Sequence, residues 1–280
     1  MTVLDRILAT KRDEVTMLHR PETTDLLRDQ ALNAPTPRDF GSALRRADGH
    51  PGLIAEIKRR SPSKGDLAPD LDPGALAKEY EAGGATALSV LTDGPYFGGA
   101  VADLQAARSA VALPVLRKDF VIDAIQVYEA RAIGADAILL ILAALPDDHL
   151  VADLSDLAAA LGMAVLVEAH DGVELDRAVG LDVGILGVNA RDLSTFAENL
   201  HGAGELAARI PPAVIAVAES AIRSAEDAQR MAAAGFDALL VGEALVRSDD
   251  PRALAAALVE PFVALRGDLR PPEHFDGMST

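Results

Sequence analysis

One phrase occurs four times in this chain, and it limits the possible folds more than any other feature. Gly83-Gly84-Ala85-Thr86-Ala87-Leu88-Ser89-Val90 parallels Gly134-Ala135-Asp136-Ala137-Ile138-Leu139-Leu140. It returns as Gly235-Phe236-Asp237-Ala238-Leu239-Leu240-Val241-Gly242, and more loosely as Gly180-Leu181-Asp182-Val183-Gly184-Ile185-Leu186-Gly187. Each copy follows an Ala-rich amphipathic segment. Glycine ends a helix by taking the left-handed conformation after its last turn. The continuous apolar run that follows is a strand buried on both faces. The unit is therefore helix, tight turn, strand, and a spacing of about 50 residues spans two such units.

Other apolar runs of strand length lie between the phrases: Leu53–Lys58, Pro114–Phe120, Ala164–Glu168 and Val214–Ser220. Interleaving gives eight strands, near positions 53, 87, 114, 137, 164, 185, 214 and 238. Helical patterns fill the gaps, among them Pro73–Ala82, Ala124–Ile133, Leu150–Leu161 and Ala225–Ala234. Eight alternating units with apolar strands predict an α/β fold, a (β/α)8 TIM barrel with an N-terminal helical extension. A length of 280 residues, half of them hydrophobic, suits one domain of this kind. Residues 1–50 form the extension, with a helical stripe of Leu4, Ile7, Leu8, Val15 and Leu18 packed on the barrel. The barrel occupies 51–265, and the Pro-rich, polar tail 266–280 is expected to fray.

Composition removes several functions. The chain carries 43 acidic and 26 basic residues, a formal charge of -17, which repels a phosphodiester backbone and argues against nucleic acid. An anionic small substrate must then be held by a local cluster of cations and backbone N–H groups. Cysteine is absent, which excludes disulfides and thiolate chemistry and fits a cytoplasmic location. Asp5 and Arg6 stand where a signal peptide needs apolar residues, and the apolar run Ala137–Leu145 is too short to cross a membrane. The six histidines show no metal-ligand spacing, and lysines compete wherever carboxylates gather, so no metal is expected. His170 is read as a loop histidine.

In this fold the active site lies at the C-terminal ends of the strands. Those ends carry Glu56 and Lys58, Lys118, Glu168, Asn189 followed by Arg191, and Glu219-Ser220. Alternation along a strand puts Lys118 on the face of Leu116, and Glu168 on that of Leu166. Buried charges at such positions are costly unless paired or used in chemistry, and a structural ring of ion pairs is the plain alternative. The loops after the last two strands, Glu219-Ser220-Ala221 and Val241-Gly242-Glu243-Ala244, occupy the usual phosphate position of such barrels, with Ser61 able to add a hydroxyl.

These residues carry a resemblance to the indole-3-glycerol phosphate synthase family of tryptophan biosynthesis. The matching segments are Ile54–Gly65 (IAEIKRRSPSKG), Ala87–Gly99 (ALSVLTDGPYFGG), Pro114–Asp123 (PVLRKDFVID), Gln126–Asp136 (QVYEARAIGAD), Leu166–His170 (LVEAH), Gly187–Leu193 (GVNARDL), Ala218–Ile222 (AESAI) and Val241–Leu245 (VGEAL). The resemblance implies a lyase without cofactor. It would close the ring of 1-(2-carboxyphenylamino)-1-deoxyribulose 5-phosphate, with loss of carbon dioxide and water. It assigns Lys118 to the developing oxyanion, Glu168 and Glu56 to proton transfer, and Lys58 to a second acid and substrate ligand. Glu219 and Asn189 would orient hydroxyls and keep the lysines charged. Arg191 would hold the substrate carboxylate, Phe97 and Phe120 the anthranilate ring, and Ser61, Ser220, Ala221, Gly242 and Glu243 the phosphate. Transient contact with other enzymes of the pathway is a further implication.

Two residues depart from the family pattern. Ala221 stands where glycine is usual and would be strained if φ is positive. Glu243 brings a carboxylate to the phosphate loop, so its side chain is expected to turn away. A phosphoribosylanthranilate isomerase is the nearest alternative, but that family uses a cysteine base. An inactive barrel kept as a partner protein is the other, and it would be expected to lack Lys118, Glu168 or Glu56.

Overall fold

The computed structural model describes residues 2–45, 49–191 and 197–260. The predicted tail at 266–280 lies outside the described residues. Eight parallel strands close into a barrel: β1 Gly52–Ile57, β2 Ala87–Leu91, β3 Val115–Lys118, β4 Ala137–Ile141, β5 Ala164–Ala169, β6 Ile185–Asn189, β7 Ile215–Glu219 and β8 Ala238–Val241. Each strand pairs with the next, and β8 returns to β1 with Gly52 opposite Ala238. Helices of at least eight residues follow each strand on the outside, as at Pro73–Ala82 and Ala225–Ala234.

The repeated phrase has a structural cause beyond its glycine. In three copies the side chain of the residue just before the strand accepts a hydrogen bond from the first or second N–H of the preceding strand. Thr86 Oγ1 takes Leu53 N at 3.1 Å, Asp136 Oδ2 takes Val115 N at 2.8 Å, and Asp237 Oδ2 takes Ala216 N at 2.9 Å. A strand entering a closed barrel has no ladder partner there, and a buried N–H left unpaired is costly. In the looser copy Gly184 holds that position and has no side chain to accept such a bond.

Alternation sorts the strand residues into two cores. Leu53, Ala55 and Ile57 face the outer helices, while Ile54, Leu116, Leu166, Ile185, Val217 and Leu240 fill the interior. Two residues further along the inward face, the apolar filling gives way to Glu56, Lys118, Glu168 and Glu219. β3 ends before the predicted Phe120 because side chains take over its backbone groups. Asp119 accepts from Phe120 N at 2.8 Å, and Gln126 donates to Phe120 O at 2.9 Å.

The extension is helical, as expected, but touches both ends of the barrel. α1 Val3–Leu18 opens with a capping box between Thr2 and Asp5. α2 Pro21–Asn33 packs on the helix Ala124–Ala132, with Leu27 beside Ile125. α3 Phe40–Leu44 lies at the bottom, where Leu44 closes on Gly52 at the start of β1. α1 instead lies near the catalytic end, with Ile7 and Leu8 in one cluster with Phe120. Among the described residues no helix is long and apolar enough to cross a membrane.

Candidate active site

The strand ends open into a pocket of about 990 Å³, continuous with solvent. All the residues singled out from the sequence line it: Glu56, Lys58, Ser61, Phe97, Lys118, Phe120, Glu168, Asn189, Arg191, Glu219, Ser220, Ala221, Gly242 and Glu243. They fall into three groups.

On the floor, Lys118 Nζ donates to Glu168 Oε2 at 2.7 Å and to Glu219 Oε2 at 2.8 Å. Both carboxylates are only 1% exposed. Asn189 Nδ2 donates to the other oxygen of Glu168 at 3.1 Å. One ammonium between two buried carboxylates cannot neutralise both, so their proton affinities separate. Burial opposes ionisation of Glu168, but Lys118 and His170 overcome it and hold Glu168 well below the usual carboxylate range. Burial raises Glu219 to about 8; Lys118 opposes this, and the charge of Glu168 adds to it. Burial would discharge Lys118, yet Glu168, Glu219 and Glu56 together raise its pKa. At neutral pH the floor therefore holds an ammonium, one carboxylate and one carboxylic acid.

The second group is the strand-1 pair. Lys58 Nζ donates to Glu56 Oε1 at 2.6 Å, and Ser89 Oγ donates to Glu56 Oε2 at 3.4 Å. Two glycines make room for these carboxylates. A Cβ at Gly242 would collide with Glu56, and one at Gly187 with Glu219. Gly187 was not foreseen, although a glycine inside an apolar strand signals the close approach of another group.

The third group lines the far side. Ser220 and Ala221 both have positive φ, 66° and 60°. The strain anticipated for Ala221 is therefore present, at about 1–2 kcal/mol for a non-glycine residue. Part of that is offset in Ala221→Gly by the greater freedom of glycine in the unfolded chain. We expect the variant to be more stable by about 0.5–1 kcal/mol, read as a higher denaturation midpoint; a lower midpoint would exclude strain at this position. Arg191 meets Glu198 Oε1 through Nε at 3.2 Å and through Nη2 at 2.5 Å, Glu243 Oε2 at 3.4 Å and Ser63 Oγ at 3.3 Å. Glu243 faces Arg191. Ser61 Oγ accepts from Lys64 N at 3.2 Å within the hairpin turn of the first loop.

His170, read from the sequence as an uninvolved loop residue, does lie in the loop after β5 but sits between two carboxylates. Its Nε2 is 3.1 Å from Glu168 Oε1, and its Nδ1 is 3.0 Å from Glu174 Oε2. Burial would lower its pKa, yet the two acids raise it to about 10, so it is an imidazolium at neutral pH. Glu198 was missed as well, since nothing local in the sequence marks it as the partner of Arg191.

A closed (β/α)8 barrel with a lysine clamped between buried carboxylates at its strand ends defines an acid–base enzyme. A family model described as indole-3-glycerol phosphate synthase matches residues 4–258. The indole-3-glycerol phosphate synthase of Dechloromonas aromatica is 49% identical over 258 residues, covering 91% of this chain and 98% of that protein. That of Chloroherpeton thalassium is 50% identical over 251 residues, covering 89% and 96%. The chain belongs to the indole-3-glycerol phosphate synthase family. A thiamine phosphate pyrophosphorylase from Pyrococcus furiosus shares the fold alone, with a TM-score of 0.58 at 17% identity over 79% of this chain and 96% of that one.

Proposed function

We propose that Lys118, Glu168 and Glu219 are the centre of the family's ring closure, with Lys58 and Glu56 as a second proton-transfer pair. The chain is a carbon–carbon lyase of tryptophan biosynthesis that forms indole-3-glycerol phosphate from 1-(2-carboxyphenylamino)-1-deoxyribulose 5-phosphate. The observation that carries the assignment is the single ammonium held between Glu168 and Glu219 on the pocket floor.

The carboxyl-bearing ring carbon attacks the C2 carbonyl, forming a carbon–carbon bond as the carbonyl oxygen takes a proton from Lys118. Carbon dioxide then leaves, and its bonding electrons restore the aromatic ring. The new hydroxyl departs as water with a proton from Lys58, and Glu168 removes a proton from the adjacent carbon. Two protons are delivered and one is taken back, so each turnover takes up one from solvent. Neutral Glu219 donates to a substrate hydroxyl while Asn189 keeps Glu168 aimed. Phe97 and Phe120 hold the aryl ring and Arg191 the carboxylate; Ser61 and the backbone of Ser220, Ala221, Gly242 and Glu243 take the phosphate. The reaction needs no metal or organic cofactor. The enzyme acts in the cytoplasm, in transient contact with other enzymes of the pathway.

Purified protein given the carboxyphenylamino substrate with chelator present is expected to yield a product with indole fluorescence. Turnover that requires an added metal ion would overturn the cofactor-free assignment, and absence of turnover under any condition would overturn the activity.

A further inference from the structure

Lys11 belongs to α1, outside the barrel, yet it is only 1% exposed. Its ammonium meets three carboxylates: Glu14 Oε2 at 2.8 Å, Asp93 Oδ2 at 2.9 Å and Asp119 Oδ1 at 2.8 Å. Glu14 lies on the same helix and is partly exposed. The other two are buried at the ends of β2 and β3, and each fixes a turn that carries an aromatic ring of the pocket. Asp93 Oδ1 accepts from Tyr96 N at 2.8 Å and from Phe97 N at 3.2 Å. Asp119 Oδ1 accepts from Phe120 N at 2.8 Å. The Phe97 and Phe120 rings stand 6.2 Å apart at 37°.

One ammonium therefore joins the two turns that build the aromatic wall. A second grip supports this arrangement. Tyr96 OH donates to Arg6 O at 3.0 Å and lies 3.0 Å from Thr10 Oγ1, so α1 holds the same short helix, Gly94–Phe97, by its tyrosine. Attachment of α1 alone would not call for a buried charge, since Ile7 and Leu8 already pack against Phe120. Withdrawing an ammonium from water is costly. The charge has a local use: Asp93 Oδ2 is buried, makes no hydrogen bond, and is met by Lys11. The second oxygen of Asp119 is taken by Thr92 Oγ1 at 2.6 Å and Arg117 Nη2 at 3.2 Å.

We infer that Lys11 is a positioning residue for the aryl half of the substrate, setting Phe97 against Phe120 through Asp93 and Asp119. The inference rests on the assignment of those two rings to the anthranilate ring. It predicts a selective defect, because the phosphate-binding turns after β7 and β8 have no contact with Lys11. Lys11→Met is expected to raise KM about tenfold and to change kcat less than threefold. Inhibition by ribulose 5-phosphate, which has the sugar phosphate but no ring, should be unchanged. Lys11→Arg, which keeps the charge, should recover part of the KM. If Lys11→Met does not fold, Lys11→Arg decides by the same comparison: KM must rise while ribulose 5-phosphate inhibition holds. An unchanged KM, or a parallel weakening of ribulose 5-phosphate inhibition, would overturn the role of Lys11. Phe97→Ala and Phe120→Ala test the ring assignment separately; if neither raises KM, that assignment fails whatever Lys11 does.

Discussion

Lys118→Met is expected to lower kcat by roughly 10²–10⁴-fold. The methionine fills a similar volume but donates no proton to the C2 oxygen, so the loss should appear in kcat and in kcat/KM rather than in KM. The same change alters stability in a way that can be separated from catalysis. In the native protein Lys118 is the ammonium that both Glu168 and Glu219 contact. Without it Glu219 loses its ammonium partner and falls back on protonation, while Glu168 keeps His170 beside it. The folded pKa of Glu219, already raised from 4.5 to about 8 against the pull of Lys118, then lies higher still. A carboxylate raised in this way contributes stability below its unfolded pKa and loses it as pH rises through the folded value. The variant should therefore go on losing stability relative to the parent as pH rises above about 8, while matching it more nearly in acid. Thermal melts across that range check the electrostatics, and single-turnover fluorescence checks the chemistry. Retention of full activity would remove Lys118 from the mechanism.

The barrel was legible because its construction repeats. Each strand is an apolar run, and the glycine phrase stands before four of them, so eight units could be counted without knowing any contact. The polar residue of the phrase was visible too, but its purpose was not. That Asp136 serves Val115 N follows only once two distant strands lie side by side. The short helices Gly94–Phe97 and Glu243–Val246 were missed because four residues give no periodicity.

The site was legible to the extent that its residues stand at strand ends. Alternation gave the direction of Lys118 and Glu168, since Leu116 and Leu166 precede them on the same face. Partners supplied from elsewhere were not readable. Lys11 looks like a solvated charge on an amphipathic helix, and His170 like a turn residue; both acquire their surroundings from the fold. The consequences of the two departures also needed coordinates. Positive φ at Ala221 and the pairing of Glu243 with Arg191 depend on loop geometry that the sequence does not encode locally.

Glu168→Gln tests how the two acids divide their work. Glutamine keeps the carbonyl oxygen that Asn189 Nδ2 contacts, but its amide cannot take a proton from the substrate. Loss of that base should lower kcat by roughly 10²–10⁴-fold. The more discriminating outcome is a shift in the pH profile. Glu219 lies near 8 because burial raises it and, against the pull of Lys118, the charge of Glu168 adds to that rise. Below that pH the floor has one negative carboxylate beside the ammonium; above it there are two, which hold the proton on Lys118 more tightly and slow its transfer. The parent is thus expected to lose kcat/KM above about pH 8. In Glu168→Gln the like charge is gone, Glu219 ionises at lower pH as the remaining carboxylate on Lys118, and the alkaline limb should move below its parental position. A limb that stays fixed while activity falls would mean that another group titrates there, and that Glu168 and Glu219 are not coupled through the ammonium they share.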